Sequence, residues 1–240
     1  MHVLLTGASS GIGFSILCAL LARGDSVFAH HRSSNPDFER LAADESFAGR
    51  VETFRADFED PDQVDALMEA YDKRWERLDA LVNNAGTVIR GAKFEEIDRD
   101  LWRRTFAVNV EAPLFLSQWA FRKMTGGGKI LNIGSISAKY LGGETTFHYG
   151  VSKAALDAVT QGLARRGAPL GILVNAIRPG ITDTPAHRKY TPEKDLSERV
   201  KLNPLGRMAR PEEIASLALY LLSGEADYIT GEVISVAGGD

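Results

Sequence analysis

Tyr149 and Lys153 are separated by Gly150-Val151-Ser152. On a helix, side chains four residues apart share one face. A free tyrosine has a pKa of about 10, too high for ready proton exchange near neutral pH. A nearby ammonium favours the phenolate and lowers that value. A general acid or base works best when its pKa lies near the working pH. The pair thus has the chemistry of a proton carrier and its tuning cation, although the same spacing is common by chance. Upstream, Lys129–Ile133 reads as a strand running into Gly134-Ser135-Ile136-Ser137. The carboxyl ends of parallel strands open into the ligand crevice. A serine there can hydrogen-bond a substrate carbonyl. Ser135 comes first and Ser137 is its alternative; both also suit an ordinary turn.

A second constellation lies at the start of the chain. Thr6-Gly7-Ala8-Ser9-Ser10-Gly11-Ile12-Gly13 follows a short apolar run and opens a helical pattern. Exposed N–H groups at a helix N-terminus attract phosphate. Glycines let the backbone approach a pyrophosphate closely. A tight turn between strand and helix needs similar residues, so the loop alone decides little. The second apolar run ends at His30-His31-Arg32-Ser33-Ser34. An acid here would bind the adenosine ribose and favour NAD; none is present, and an arginine favours the 2′-phosphate of NADP. Arg32, helped by Ser33, is the candidate, with a solvated surface arginine as the plain alternative. Asn83-Asn84-Ala85-Gly86 closes another short strand, where small and amide side chains can border a flat cofactor or form a polar turn.

The elements that must position these groups alternate along the chain. Strands are predicted at Val3–Thr6, Ser26–His30, Val51–Arg55, Leu81-Val82, Lys129–Ile133, Ile172–Ile177 and Val233–Val236. Helices are predicted at Ile12–Ala22, about Asp37–Phe47, from Pro61 through Tyr71, Leu101–Lys123 with a bend near Asn109, Tyr149–Arg166 and Glu212–Leu222. Such alternation argues for crossover units and a parallel sheet covered on both faces. No repeat or flexible linker interrupts the 240 residues, so one domain is expected. The segment 183–203 is polar and proline-bearing; it reads as a flap over the site or a long connection.

Composition narrows the function class. The formal net charge is −4 and the pI about 5.8, so no global basic field favours nucleic acid or an anionic membrane. No run approaches the roughly 18 apolar residues of a membrane span, and the start is too short in apolar residues for a signal peptide. With one cysteine, Cys18, no intrachain disulfide can form. A cytoplasmic protein is expected. His2, His30, His31, His148 and the acidic residues show no metal-ligand spacing, so no metal is expected. His148 neighbours Tyr149 and could touch substrate, but it reads more simply as a solvated histidine.

Together these pieces resemble the short-chain dehydrogenase/reductase family. Thr6-Gly-x-x-x-Gly-Ile-Gly13, Asn83-Asn-Ala-Gly86, Asn109, Ser135, Tyr149-x-x-x-Lys153 and Pro179-Gly180 occur in family order across essentially the whole chain. The resemblance implies an α/β fold: a doubly wound, Rossmann-type sheet of seven parallel strands in three layers. It implies that Tyr149 is the acid in reduction and the base in oxidation, and that Lys153 lowers its pKa and binds the nicotinamide ribose. Ser135 would polarise the substrate oxygen, and Asn109 would hold a helix bend and a relay water. Gly7, Ser9, Ser10, Gly11, Ile12 and Gly13 would border the cofactor phosphates and ribose. His31, Arg32 and Ser33 would meet the adenosine ribose end, and Asp57 and Phe58 would flank adenine. Asn84, Ala85 and Gly86 would line the adenosine and ribose side; Pro179, Gly180, Ile181 and Thr184 would hold the carboxamide end.

Many NADP-using members carry a basic residue inside the glycine loop, where this chain has Ser9 and Ser10. The preference for NADP(H) therefore rests on Arg32 and the missing acid, with NAD(H) as the alternative. The pattern is similar to 3-oxoacyl-acyl-carrier-protein reductases. Arg122, Lys123, Arg165 and Arg166 lie on helices that could face an acidic carrier or another subunit. The substrate is expected to be a small or carrier-bound carbonyl or alcohol, selected by 183–203 and by the loop Tyr140–His148. His187, Arg188 and Lys189 could meet an anionic substrate or form a solvated charge run. A homotetramer or homodimer is expected. The rival readings are a regulatory or scaffold protein without turnover, and a lyase or epimerase that uses the nicotinamide transiently.

Overall fold

The computed structural model describes residues 1–185 and 193–240. Seven strands form one parallel sheet: β1 (His2–Leu5), β2 (Ser26–His31), β3 (Val51–Arg55), β4 (Ala80–Asn83), β5 (Gly128–Ile133), β6 (Ile172–Pro179) and β7 (Val233–Val236). Their order is β3-β2-β1-β4-β5-β6-β7. The chain moves outward from β1 to β3, then crosses back to β4 beside β1. The carboxyl ends of β1 and β4 therefore frame the topological switch point, where open α/β sheets bind ligands.

The strands read as near-continuous apolar runs because both faces are covered. Val3, Leu5, Val27, Val82 and Leu131 pack with Ile16, Leu17 and Leu20 of α1 (Gly11–Arg23). Leu4, Phe28, Leu81 and Ile130 face the opposite layer, with Leu67 and Tyr71 of α3 (Pro61–Arg74) and Leu116 and Trp119 of α5 (Ala112–Lys123). Successive strand residues point to opposite faces, so one run feeds two cores.

The helices start and stop where their chemistry directs. Pro61 occupies the first turn of α3, and Asp60 caps it through the Asp62 N–H at 3.1 Å. Gly24 ends α1 in the left-handed conformation at φ 96°. The predicted helix over 37–47 is shorter: α2 covers Pro36–Ala42, and a separate 3-10 turn covers Glu45–Phe47. Asp44 accepts from the Ser46 N–H and starts that turn anew, which divides the segment. The bend near Asn109 is a π-helical turn, Ala107–Glu111, between α4 (Arg99–Phe106) and α5. A short α6 (Ser137–Tyr140) follows β5, and α7 (Phe147–Gly167) begins two residues before Tyr149. Within the segment read as a flap, α8 occupies Glu193–Leu202, followed later by α9 (Pro211–Leu221). His187, Arg188, Lys189 and Pro192 lie outside the described residues. Among the described residues, no helix is long and apolar enough to cross a membrane.

Candidate active site

The glycine loop joins β1 to α1 at the switch point. Gly7 adopts φ 67° and Gly11 φ 54°, conformations that disfavour a side chain. A Cβ on Gly13 would come within 2.0 Å of the Gly7 carbonyl oxygen and 2.4 Å of Asn84 Nδ2. Glycine there lets α1 begin directly against the loop. Ser10 precedes the helix in an extended conformation with no side-chain cap, and the first turn holds no acid. The N–H groups of that turn are left for an anion. Ser9 is almost buried, and its carbonyl accepts from Asn35 Nδ2, which ties the loop to the start of α2.

The end of β4 braces the same loop. Thr6 Oγ1 accepts from the Asn84 and Ala85 N–H groups at 3.0 and 2.9 Å. Asn84 Nδ2 donates to the Thr6 and Gly7 carbonyls, each at 3.0 Å. Both hydrogens of the Asn84 amide are thus engaged in holding the loop.

At the ribose end, Arg32 and Asp57 border a cavity of about 350 Å³ together with Arg55, Ala56 and Gln63. Arg55 is a residue the sequence reading missed; it closes β3, and its Nε donates to the Arg32 carbonyl at 3.1 Å. Arg32 Nη1 lies 3.6 Å from Glu59, which also pairs with Arg104 at 2.6 Å. Two guanidinium groups and one carboxylate therefore line this space. The His31 ring packs on Phe38 at 5.0 Å instead and does not line the cavity. Phe58 is buried, and its ring stacks on that of His30. Ser33 is exposed beyond β2.

The proton-handling residues meet across three elements. Lys153 is buried on α7, and its ammonium donates to the Ile133 carbonyl at the end of β5, 2.9 Å away. The same ammonium lies 5.9 Å from the Tyr149 ring centroid. Asn109, fully buried in the π-turn, donates to the Thr87 carbonyl and to Ser152 Oγ, each at 3.0 Å, and accepts from the Thr87 N–H at 3.0 Å. A Cβ on Gly86 would come within 2.8 Å of Lys153 Nζ and 3.1 Å of Asn109 Oδ1, so glycine lets the segment after β4 approach both. Ser135 Oγ accepts the Ser137 N–H at 3.1 Å, and of the two candidate serines it is the one whose hydroxyl lies near enough to the Tyr149 phenol to lower its pKa. Pro179 and Gly180 end β6, where the Pro179 carbonyl accepts from Ile136 and the Gly180 N–H donates to Val236. Ile181 is buried beyond them, and Thr184 approaches Gly11.

Burial raises the Tyr149 phenol above its usual value, while the Ser135 hydroxyl and the Arg199 guanidinium of α8 pull it down. Burial also lowers the Lys153 ammonium to about 8, against the opposing pull of Asp157. Asp157 stands one turn further along α7 and pairs with Arg178 of β6 at 2.8 Å. Asp157→Asn removes the charge that keeps Lys153 protonated. Lys153 should then lose its proton at lower pH, and the basic limb of the rate–pH profile should move to lower pH, with activity falling most steeply above neutrality. Superimposable profiles would contradict this assignment.

His148 is fully buried, which corrects its reading as a solvated histidine. Neither ring nitrogen makes a hydrogen bond of ordinary geometry. Desolvation lowers its pKa, although the Arg90 backbone lies near enough to oppose the shift.

The glycine cradle, the uncapped start of α1 and the buried ammonium of Lys153 suit a dinucleotide lying from Arg32 to Tyr149. Residues 7–240 match the family model described as enoyl-(acyl carrier protein) reductase. A 3-oxoacyl-[acyl-carrier-protein] reductase from Thermotoga maritima is 33% identical over 238 residues, covering 98% of this chain and 96% of that one. The chain belongs to the short-chain dehydrogenase/reductase family. Another relative in this family, a 2-dehydro-3-deoxy-D-gluconate 5-dehydrogenase from Bacillus subtilis, is 34% identical over 242 residues, covering 98% of this chain and 92% of that one. A short-chain dehydrogenase from Burkholderia cenocepacia solved in complex with NADP has a TM-score of 0.90 and 31% identity, covering 99% of this chain and 96% of that one. As a short-chain dehydrogenase/reductase, the protein is an NAD(P)-dependent oxidoreductase with a Rossmann-type fold.

Proposed function

We propose that this protein is an NADP(H)-dependent enzyme that interconverts a carbonyl and a secondary alcohol, with Tyr149 as the proton carrier. The observation that carries the reading is the convergence of Tyr149, Ser135 and buried Lys153 beside the glycine loop. The chemistry a reduced nicotinamide would supply at this place is a hydride for the carbonyl carbon. Ser135 orients the carbonyl oxygen, and the Tyr149 hydroxyl transfers its proton to that oxygen as charge builds on it. Lys153 would steady the resulting phenolate and hold the ribose hydroxyls of the cofactor. Asn109 keeps Thr87 and Ser152 in place behind it. In the oxidative direction Tyr149 takes the alcohol proton instead.

The preference for NADP(H) is supported by Arg32 and Arg55 at one cavity and by the absence of an acid at the end of β2. A phosphomonoester at this position carries close to two negative charges near neutral pH, which two guanidinium groups can bind. Relatives of nearly equal identity are named for an acyl-carrier thioester and for a sugar acid. The substrate is therefore proposed only as a small or carrier-bound carbonyl compound. The test is titration with NADPH and NADH by nicotinamide fluorescence, then nicotinamide absorbance with a panel holding 3-oxoacyl thioesters and sugar-derived ketones. Tighter binding of NADPH, followed by its oxidation on one class, is expected. Binding without oxidation on any carbonyl would favour a regulatory role, and product formation with no net change in nicotinamide would favour an epimerase or lyase.

A further inference from the structure

His30 lies near the end of β2, one strand in from the edge of the sheet, at 2% exposure, and both its ring nitrogens are bonded. Gly7 N–H donates to Nδ1 at 3.2 Å, and Nε2 lies 3.0 Å from the Ala56 carbonyl. The His30 backbone carbonyl also accepts the next N–H of the loop, from Ala8, at 2.9 Å. Phe58 stacks on the ring at 4.0 Å and 7° between planes.

We propose that His30 is a positioning residue of the dinucleotide site, a clamp that sets the glycine loop by binding two successive loop N–H groups and anchoring them to the end of β3. An amide N–H can only donate and a carbonyl can only accept. The two bonds together therefore select the neutral ring with its hydrogen on Nε2. Gly7 needs such a partner because its positive φ turns its N–H out of the ladder, where a buried donor without an acceptor is costly. The ring thereby shapes the loop before any ligand arrives, and a preorganised loop binds more tightly. This rests on the reading of the loop as a dinucleotide site.

The clamp should also respond to acid. Desolvation lowers the His30 pKa from 6.5 to about 4, with His31 lowering and the Ala56 carbonyl and Asp57 opposing. His31 on the same strand and Asp57 beyond β3 are the titratable groups the ring faces; the glycine loop brings none from its side. The unfolded chain thus binds the proton more readily than the folded one. The His30 contribution to stability is present above pH 6.5 and is lost as pH falls toward about 4.

Three variants separate a clamp from a space-filling ring. The Oδ1 of His30→Asn stands near the position of Nδ1 and can accept from Gly7, whereas His30→Gln reaches toward Ala56 but leaves Gly7 unmatched. His30→Phe keeps the stack on Phe58 and loses both bonds. NADPH dissociation constants are read by fluorescence, and Gly7 amide exchange is read by NMR in the cofactor-free protein. His30→Phe and His30→Gln should weaken NADPH about tenfold or more and speed Gly7 exchange. His30→Asn should restore both readouts toward wild type, while its acid loss of stability between pH 6.5 and 4 is smaller than in wild type. NADPH binding and Gly7 exchange unchanged in His30→Phe, or His30→Asn no better than His30→Gln, would overturn the clamp while leaving the site. Wild-type protein that binds neither NADPH nor NADH would overturn the site reading and the proposal that rests on it.

Discussion

Tyr149→Phe should lower kcat by about 10³-fold, while the NADPH dissociation constant stays within about threefold of wild type. The phenyl ring keeps the packing at the start of α7 and loses only the hydroxyl. That hydroxyl stands near Ser135 and can place a proton on a carbonyl oxygen. The glycine loop and the arginine-lined cavity are held by other residues, so binding should survive. Steady-state rates alongside fluorescence titration check both halves. A variant turning over near the wild-type rate would remove Tyr149 from the chemistry; lost binding with a retained rate on saturating cofactor would make it a binding residue.

The second large effect concerns cofactor choice. Arg32→Ala and Arg55→Ala should each weaken NADPH roughly 10-fold, and the double variant roughly 100-fold, as expected when charge-assisted bonds to a phosphate are removed. NADH, which lacks that phosphate, should change by about twofold or less on the same argument. Arg32 is half exposed and shares Glu59 with Arg104, which places its single effect at the lower end of the range. Arg55 holds the Arg32 backbone as well, so it contributes both charge and placement. Equal losses for NADPH and NADH would mean that the two arginines support the loop between β2 and α2 without reading the 2′-phosphate.

What the sequence made legible was chemistry of short range. Gly7, Gly11 and Gly13 answer to the turn from β1 into α1, and Tyr149 and Lys153 to one helix turn. The bend at Asn109 was readable through the family resemblance, and its form as a π-turn was not. His30 carried no signal of its role: it only closes the apolar run of β2, while its partners Gly7 and Ala56 lie 23 and 26 residues away. Arg55 was read only as a strand end, because the cavity it lines is made by bringing β2 and β3 together. His148 looked solvated beside polar loop residues, and tertiary packing buried it. Lys153 is legible as the partner of Tyr149 and of the ribose, but its backbone acceptor at Ile133 is one that spacing on one helix cannot reveal. The break between α2 and the turn at Glu45–Phe47 came from the local competition of the Asp44 side chain with the backbone.

The most direct measurement uses NADPH deuterated at the transferable position of the nicotinamide, with the carbonyl substrate found by the panel, in ordinary water and in heavy water. The expected product is an alcohol with one deuterium on its carbinol carbon from the labelled cofactor and none there from solvent. Tyr149→Phe should yield no product above background. Solvent deuterium on that carbon, or unlabelled product from labelled cofactor, would contradict hydride transfer from NADPH to a carbonyl held by Ser135 and Tyr149.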